Sequence, residues 1–378
     1  MTSQKHALKA NRQERQLRRW TPLQHRRLPR QRVSRSVQSF ALVMLSLGRG
    51  AGNLTAQDDF VGAKACEPCH SDQFKTQSQS NHAKTLHRAA EFAEFGRLAD
   101  GKGVQFGDSP FSWSRFRNGE SEYFVDTWVE HNRKTIPIQW VFGANVQGVT
   151  FVSRLPDEQF LEHRMSYYTK REGFDITVGH NRRPVRSLDE AIGRLIPTEE
   201  VTRCFSCHAT RVTKAFAGPD LTTLVPGVTC ERCHGPGAEH IAAMKSGSGK
   251  VAIRNPGKLS GNELVWMCGE CHRNEPPAGT SFSDPTVTRF QAVGLQLSGC
   301  FQESNGAITC TTCHNPHQDI RHDDASFNAR CISCHKQKAC PVNASSGCVG
   351  CHMPKVSPAP NLTFSDHWIH VPKMPPAN

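Results

Sequence analysis

The chain has 378 residues and a formal net charge of +12, but only 37% of it is hydrophobic and it carries sixteen cysteines. The charge is concentrated: residues 1–56 hold twelve of the forty-six Lys and Arg and one of the thirty-four acids, so the remainder is close to neutral. A basic surface of the kind that binds nucleic acid is therefore excluded.

In chain order, the first element predicted is a leader over residues 1–56. An Arg-rich stretch from Arg12 to Arg35 precedes the apolar run Phe40–Leu47 and small residues up to Ala56. The run is too short to cross a bilayer. It predicts an export signal, hence a periplasmic or otherwise exported protein whose mature chain has no stable membrane span.

A first haem segment follows over 57–103. It holds Cys66-Glu-Pro-Cys69-His70 and a run from Ser71 to Phe95 that reads as helical and contains His82 and His87. Over 104–185 the texture becomes aromatic and alternating. Runs such as Glu122-Tyr-Phe-Val-Asp126 and Val149-Thr-Phe-Val152, broken by Asn118-Gly119 and Gly143, predict a small antiparallel sheet of hairpins. From 186 to 378, Gly- and Pro-rich loops alternate with short predicted helices. Ser260-Gly-Asn-Glu263 reads as a capping box opening one of them. From Pro354 the tail is Pro-rich and is expected to run extended over the surface.

These helices deliver one repeated motif. After the copy at Cys66 come Cys204-Phe-Ser-Cys207-His208, Cys230-Glu-Arg-Cys233-His234, Cys268-Gly-Glu-Cys271-His272, Cys310-Thr-Thr-Cys313-His314, Cys331-Ile-Ser-Cys334-His335 and Cys348-Val-Gly-Cys351-His352. Cys-x-x-Cys-His is the attachment signature of a c-type haem: the cysteines form thioethers to the porphyrin and the histidine takes the iron. Structural zinc takes four ligands, so its cysteine pairs should come two by two; seven pairs, each followed by histidine, exclude it. Seven haems are thus expected, with His70, His208, His234, His272, His314, His335 and His352 as proximal ligands. Their propionates would make the mature holoprotein acidic. Cys300 and Cys340 are left over, and in an oxidising compartment they are expected to form a disulfide.

The sixth position of each iron decides what it can do. Ten histidines outside the motifs follow the leader: His82, His87, His131, His163, His180, His240, His317, His322, His367 and His370. His317 lies three residues after His314, a span of at most about 11 Å even when extended. It cannot round the porphyrin edge, so as a ligand it must serve a neighbouring haem. The same holds for His240 after His234.

At this point the chain resembles the multihaem cytochromes related to cytochrome c554 and hydroxylamine oxidoreductase. The residues that carry the likeness are Cys66-x-x-Cys-His with Ser80-Asn-His82, Trp140-Val-Phe-Gly143, Cys230-x-x-Cys-His-Gly-Pro-Gly-x-x-His240, Cys310-x-x-Cys-His-Asn-Pro-His317, Cys348-x-x-Cys-His-Met-Pro354 and Asp366-His367-Trp-Ile. The resemblance implies that His82, His240, His317 and His367 are distal ligands, and His180 in Val178-Gly-His180 is a further candidate.

The expected fold is mainly α with extensive loops, a multihaem cytochrome c fold organised around seven stacked haems, with a small antiparallel β segment. The expected function is electron transport along mostly bis-histidine, low-spin haems, with partner proteins that are other cytochromes or a membrane quinone-linked complex. The alternative is a multihaem oxidoreductase acting on a small nitrogen or sulfur compound at one open haem, sought first at the haems of Cys66 and Cys204. Against it, there is no Cys-x-x-Cys-Lys motif and no tyrosine after Tyr168, two marks of the enzymes in the resembled group.

Overall fold

The computed structural model describes residues 59–119, 122–215, 218–276, 278–281, 284–320, 323–335, 340 and 347–371. The expected leader and His322 lie outside them. Residues Ala56–Asn378 form one compact unit.

The expectation of a mainly α protein is corrected by the sheets. Ten strands build two antiparallel sheets: β1 (Leu86–Arg88), β2 (Val104–Gln105), β3 (Ser112–Asn118), β4 (Glu122–Val129), β5 (Asn132–Ile138), β6 (Trp140–Phe142), β7 (Gly148–Arg154), β8 (Phe160–Tyr168), β9 (Gly173–Ile176) and β10 (Gly193–Ile196). One sheet is a four-stranded meander, β2-β3-β4-β5. The other has six strands in the order β1-β6-β7-β8-β10, with β9 also paired to β8. Two further hairpins pair β11 (Ala209–Ala215) with β12 (Gly218–Pro226), and β13 (Lys355–Val356) with β14 (Phe364–Ser365).

Alternation along the strands gives the six-stranded sheet two apolar faces. Val141, Val149, Phe151, Met165 and Tyr167 share a core with Trp113, Tyr123, Val125 and Ile138 of the four-stranded sheet. In that core Phe95 is fully buried, with the ring of Tyr123 stacked at 4.2 Å and that of Phe151 at 5.4 Å. Leu86, Trp140, Val152, Phe160 and Ile196 form the other face, which packs on Phe205 and Leu224. The sheet is therefore a wall, and the helix of the second Cys-x-x-Cys-His motif lies against its outer side.

The predicted helix over Ser71–Phe95 is three pieces. A helix spans Ser71–Gln77, then β1 pairs with β6, and a short helix spans Phe95–Leu98. Burying Leu86 against Phe205 outweighs the helical reading of this stretch, because strand pairing aims alternate residues at the core. Beyond residue 197 the described helices are short: Thr198–His208, Cys230–His234, Ala238–Lys245, Gly261–His272, Gln291–Leu297, Gly299–Glu303, Cys310–Cys313, Asp324–Cys334 and Cys348–His352. The Ser260–Glu263 capping box forms, with the Ser260 N–H donating to Glu263 Oε2 at 2.8 Å.

Apolar burial thins out here. Val265, Ala292 and Leu295 are the buried centre of a small cluster that includes Cys310 and Ile369 at its edge. The tail from Pro354 is docked on the β-rich part of the chain. Gln147 exchanges two hydrogen bonds with Thr363, and Asn361 donates to Asp175 at 2.7 Å.

Candidate haem-binding framework

Each motif sits at or near a helix terminus. Cysteines three apart lie one turn from each other on the same helical face, and the histidine follows directly. The motif at Cys204 shows how the sequence sets this geometry. Its spacer Phe205 is fully buried among Trp140, Phe142 and Phe160, at ring distances of 5.4, 5.0 and 5.8 Å, which pins the helix end to the sheet.

The motif histidines are oriented by their second ring nitrogen. Nδ1–H of His208 donates to the Thr85 carbonyl at 3.0 Å, that of His234 to Arg254 at 3.1 Å and that of His352 to His370 at 2.8 Å. His240 and His367 do the same toward Val251 and Ser365, at 2.5 and 3.0 Å. A carbonyl can only accept, so the proton is on Nδ1 and Nε2 keeps its lone pair for a metal; such outer hydrogen bonds accompany metal-bound histidines almost always. Burial, the largest cause, pushes His82, His208, His314 and His317 below the ordinary imidazole range, and His367 down to about 4. These rings stay neutral, the form that binds metal.

Four motif histidines face a second imidazole. His70 lies 6.3 Å from His240 between ring centroids, His272 6.0 Å from His82, His234 6.1 Å from His317, and His314 6.2 Å from His367. A metal–imidazole bond of about 2 Å, with about 1 Å more from nitrogen to ring centre, places two axial rings about 6 Å apart across one iron. Each partner histidine comes from a different segment than the motif it faces, His317 included. Beside His314 a cleft of about 530 Å³ is lined by Cys313, Phe327 and Arg330 among others. The residues present fit covalent haem.

The other sequence candidates are placed differently. His180 meets no motif histidine; its Nε2 bonds Glu162 at 3.0 Å, in a cluster where Arg194 joins Glu162 at 2.7 Å and Glu200 at 2.5 Å. His163 is fully buried with Nε2 on Ser153 Oγ at 2.6 Å. His87 packs against Phe92, and His131 is exposed. Cys300 has Cys313, Cys331 and Cys334 of two motifs as electrostatic neighbours.

Sequence reasoning missed the two anchoring spacers, Phe205 and Glu231. Motif spacers are read as variable positions, and their burial depends on what packs against them from more than a hundred residues away.

Repeated attachment motifs, fixed imidazole tautomers and facing ring pairs define a class: the chain is a c-type cytochrome with several covalent haems. The chain is similar to known proteins over parts of its length. The family model described as cytochrome c554 and c-prime matches residues 181–235, which hold the motifs at Cys204 and Cys230. The multiheme cytochrome MtrA of Shewanella baltica (strain OS185) is 24% identical over 181 residues, 36% of this chain and 53% of that protein, so the match spans about half the relative's length. The crystal structure of the outer cell wall cytochrome OcwA aligns with a TM-score of 0.47 at 16% identity, covering 82% of this chain and 79% of that one. The family match and the MtrA likeness support a multihaem c-type cytochrome family. No described helix is long and apolar enough to cross a membrane.

Proposed function

We propose that the chain is an exported electron carrier that holds seven covalent haems, most of them bis-histidine and low-spin. The supporting observation is the set of four imidazole pairs at 6.0 to 6.3 Å. An iron closed on both faces would exchange single electrons with its neighbours and offer no seat to a substrate. His82, His240, His317 and His367 would close such sites, and each lies on a different segment from the motif it faces, so ligation would tie the sites together.

Thiol contacts between motifs support a continuous path. The Cys66 thiol lies beside that of Cys230, Cys207 beside Cys271, and Cys268 beside Cys310, while Cys331 neighbours Cys313 and Cys348. These sulfurs stand in for the thioethers of the mature protein. Taken in order they run from the first motif through the third, fourth, fifth and sixth to the seventh, with Cys233 beside Cys268 joining third to fourth and the second motif as a branch off the fourth. Partners are redox proteins, other cytochromes or a quinone-linked membrane complex, drawn to an acidic holoprotein surface. Residues 1–56 serve as the export leader, and the compartment is the periplasm or its equivalent.

One observation favours a second reading. Of the two haems where an open iron was sought, His70 of the first faces His240. His208 of the second meets the ring of Phe142 at 5.3 Å; among the described residues the imidazole that acts on it is His272, the histidine of another motif. With the Glu162–His180 and Arg194–Glu200 pairs beside Cys204, an open iron there would make the protein an oxidoreductase for a small nitrogen or sulfur compound. The test is intact mass, expected to give seven haems, with the EPR spectrum of the ferric protein. Wholly low-spin iron upholds the carrier. A high-spin signal from about one iron in seven that shifts on adding nitrite or hydroxylamine overturns it in favour of the second reading.

A further inference from the structure

We infer that Glu231, a spacer inside the third attachment motif, is a positioning residue for the haem site of the first motif. It holds together the two segments that supply His70 and His240, and the inference rests on their proposed axial role.

A motif spacer is ordinarily a surface residue, yet Glu231 is 3% exposed. Its Oε1 accepts the N–H of Val61 at 2.9 Å and the N–H of Gly237 at 2.9 Å, and its Oε2 accepts the N–H of Gly62 at 2.8 Å. Those three donors belong to two different segments. Gly62 directly precedes the short helix Ala63–Cys66, which leads through the attachment cysteines to His70. Gly237 directly precedes the helix Ala238–Lys245, which carries His240 in its first turn.

One carboxylate thus grips the start of the proximal segment with both oxygens and the start of the distal segment with one. Two further contacts close the same junction. The Ala238 N–H donates to the Asp59 carbonyl at 3.1 Å, and a Cβ at Gly237 would meet Val61 at 2.9 Å, so glycine lets the segments touch. Downstream of this grip the two imidazoles sit 6.3 Å apart with planes 25° from parallel. A buried carboxylate satisfied by backbone donors is a stiff connector, because losing it takes the acceptor from three backbone N–H groups at once, that of buried Gly237 among them.

The inference is tested on haem-loaded full-length protein with Glu231→Ala, Glu231→Gln and His240→Ala, read by ferric EPR, intact mass and amide exchange. His240→Ala should turn about one iron in seven high-spin. Glu231→Ala should produce the same high-spin species in a measurable share of molecules, keep seven haems by mass, and speed exchange at Gly62 and Gly237 at least tenfold. Glu231→Gln keeps one accepting oxygen but turns an NH₂ toward a backbone donor, so it gives a smaller change of the same kind and carries the test if the alanine variant does not accumulate. Imidazole added to either variant should restore the low-spin spectrum. If His240→Ala is high-spin while both Glu231 variants stay fully low-spin, Glu231 does not position this site. Loss of one haem by mass would instead assign Glu231 to attachment at its own motif, which also overturns the inference. If His240→Ala leaves the spectrum unchanged, it is the axial reading of His240 that fails.

Discussion

Phe205→Ala should be among the most damaging single changes in the chain, and the structure says how much. Phe205 is fully buried and touches Trp140, Phe142 and Phe160 at interplanar angles of 88°, 79° and 65°. Truncating such a phenylalanine costs about 3–5 kcal/mol in transfer and cavity terms. Three edge-to-face partners, each worth about 0.5–1.5 kcal/mol beyond area, place this site toward the upper end. Native domains have about 5–15 kcal/mol in total, so the helix ending at His208 should detach from the sheet well before the rest unfolds. Covalent cofactors break two-state behaviour, so a global midpoint is the wrong readout. Amide exchange at β6 and the Thr198–His208 helix is the right one, where 3 kcal/mol appears as about a hundredfold acceleration. Phe205→Leu conserves most of the volume and should cost less than about 1.5 kcal/mol. The reasoning fails if alanine and leucine exchange alike, or if alanine changes protection by less than tenfold.

His163 sets a pH prediction. Burial and then His180 hold it down to about 3, against about 6.5 unfolded, so between those values the unfolded chain binds the extra proton. Its stabilising contribution is complete above about pH 6.5 and falls by about 1.4 kcal/mol per unit as pH drops toward 3. His163→Gln should flatten the acid limb of stability against pH by that slope, and an unchanged limb refutes it. At Gly227, φ is 75° and an added Cβ would overlap the Ala83 carbonyl, while Val228 N–H donates to the His82 carbonyl at 2.8 Å. Gly227→Ala should therefore displace His82 from His272 and raise a high-spin EPR signal; a native spectrum would rule this out. His317→Ala should open the site of the third motif rather than the fifth, to which it is adjacent in sequence. Crossing it with Cys230→Ser and Cys233→Ser should then abolish the new high-spin signal, whereas removing the fifth motif's cysteines should leave it.

How much was legible depends on the range of the constraint that fixes each feature. The attachment motifs are local chemistry: two cysteines one turn apart with the histidine beside them must be written contiguously, so all seven can be read directly. The reach argument for His317 is local in the same way, since three residues of backbone cannot round a porphyrin; the structure sets its ring 6.1 Å from that of His234. Sheet content was under-read because its outer strands are short and take their conformation from partners far away. Leu86–Arg88 looks helical until Trp140–Phe142 lies beside it, and Ala209–Pro226 reads as loop although its Thr- and Val-rich run is good strand material. His180 stands in Val178-Gly-His180, and Glu162 of β8 bonds its Nε2 at 3.0 Å; nothing in the local sequence announces that carboxylate. Phe205 and Glu231 occupy the same spacer position in neighbouring motifs, and the structure uses one as an apolar anchor and the other as a polar one. The motif fixes where a haem is attached; its spacers, through what they pack against, fix where that haem stands relative to the next. In a chain with so thin an apolar core around Val265, those few spacer contacts do much of the work of holding separate sites in register.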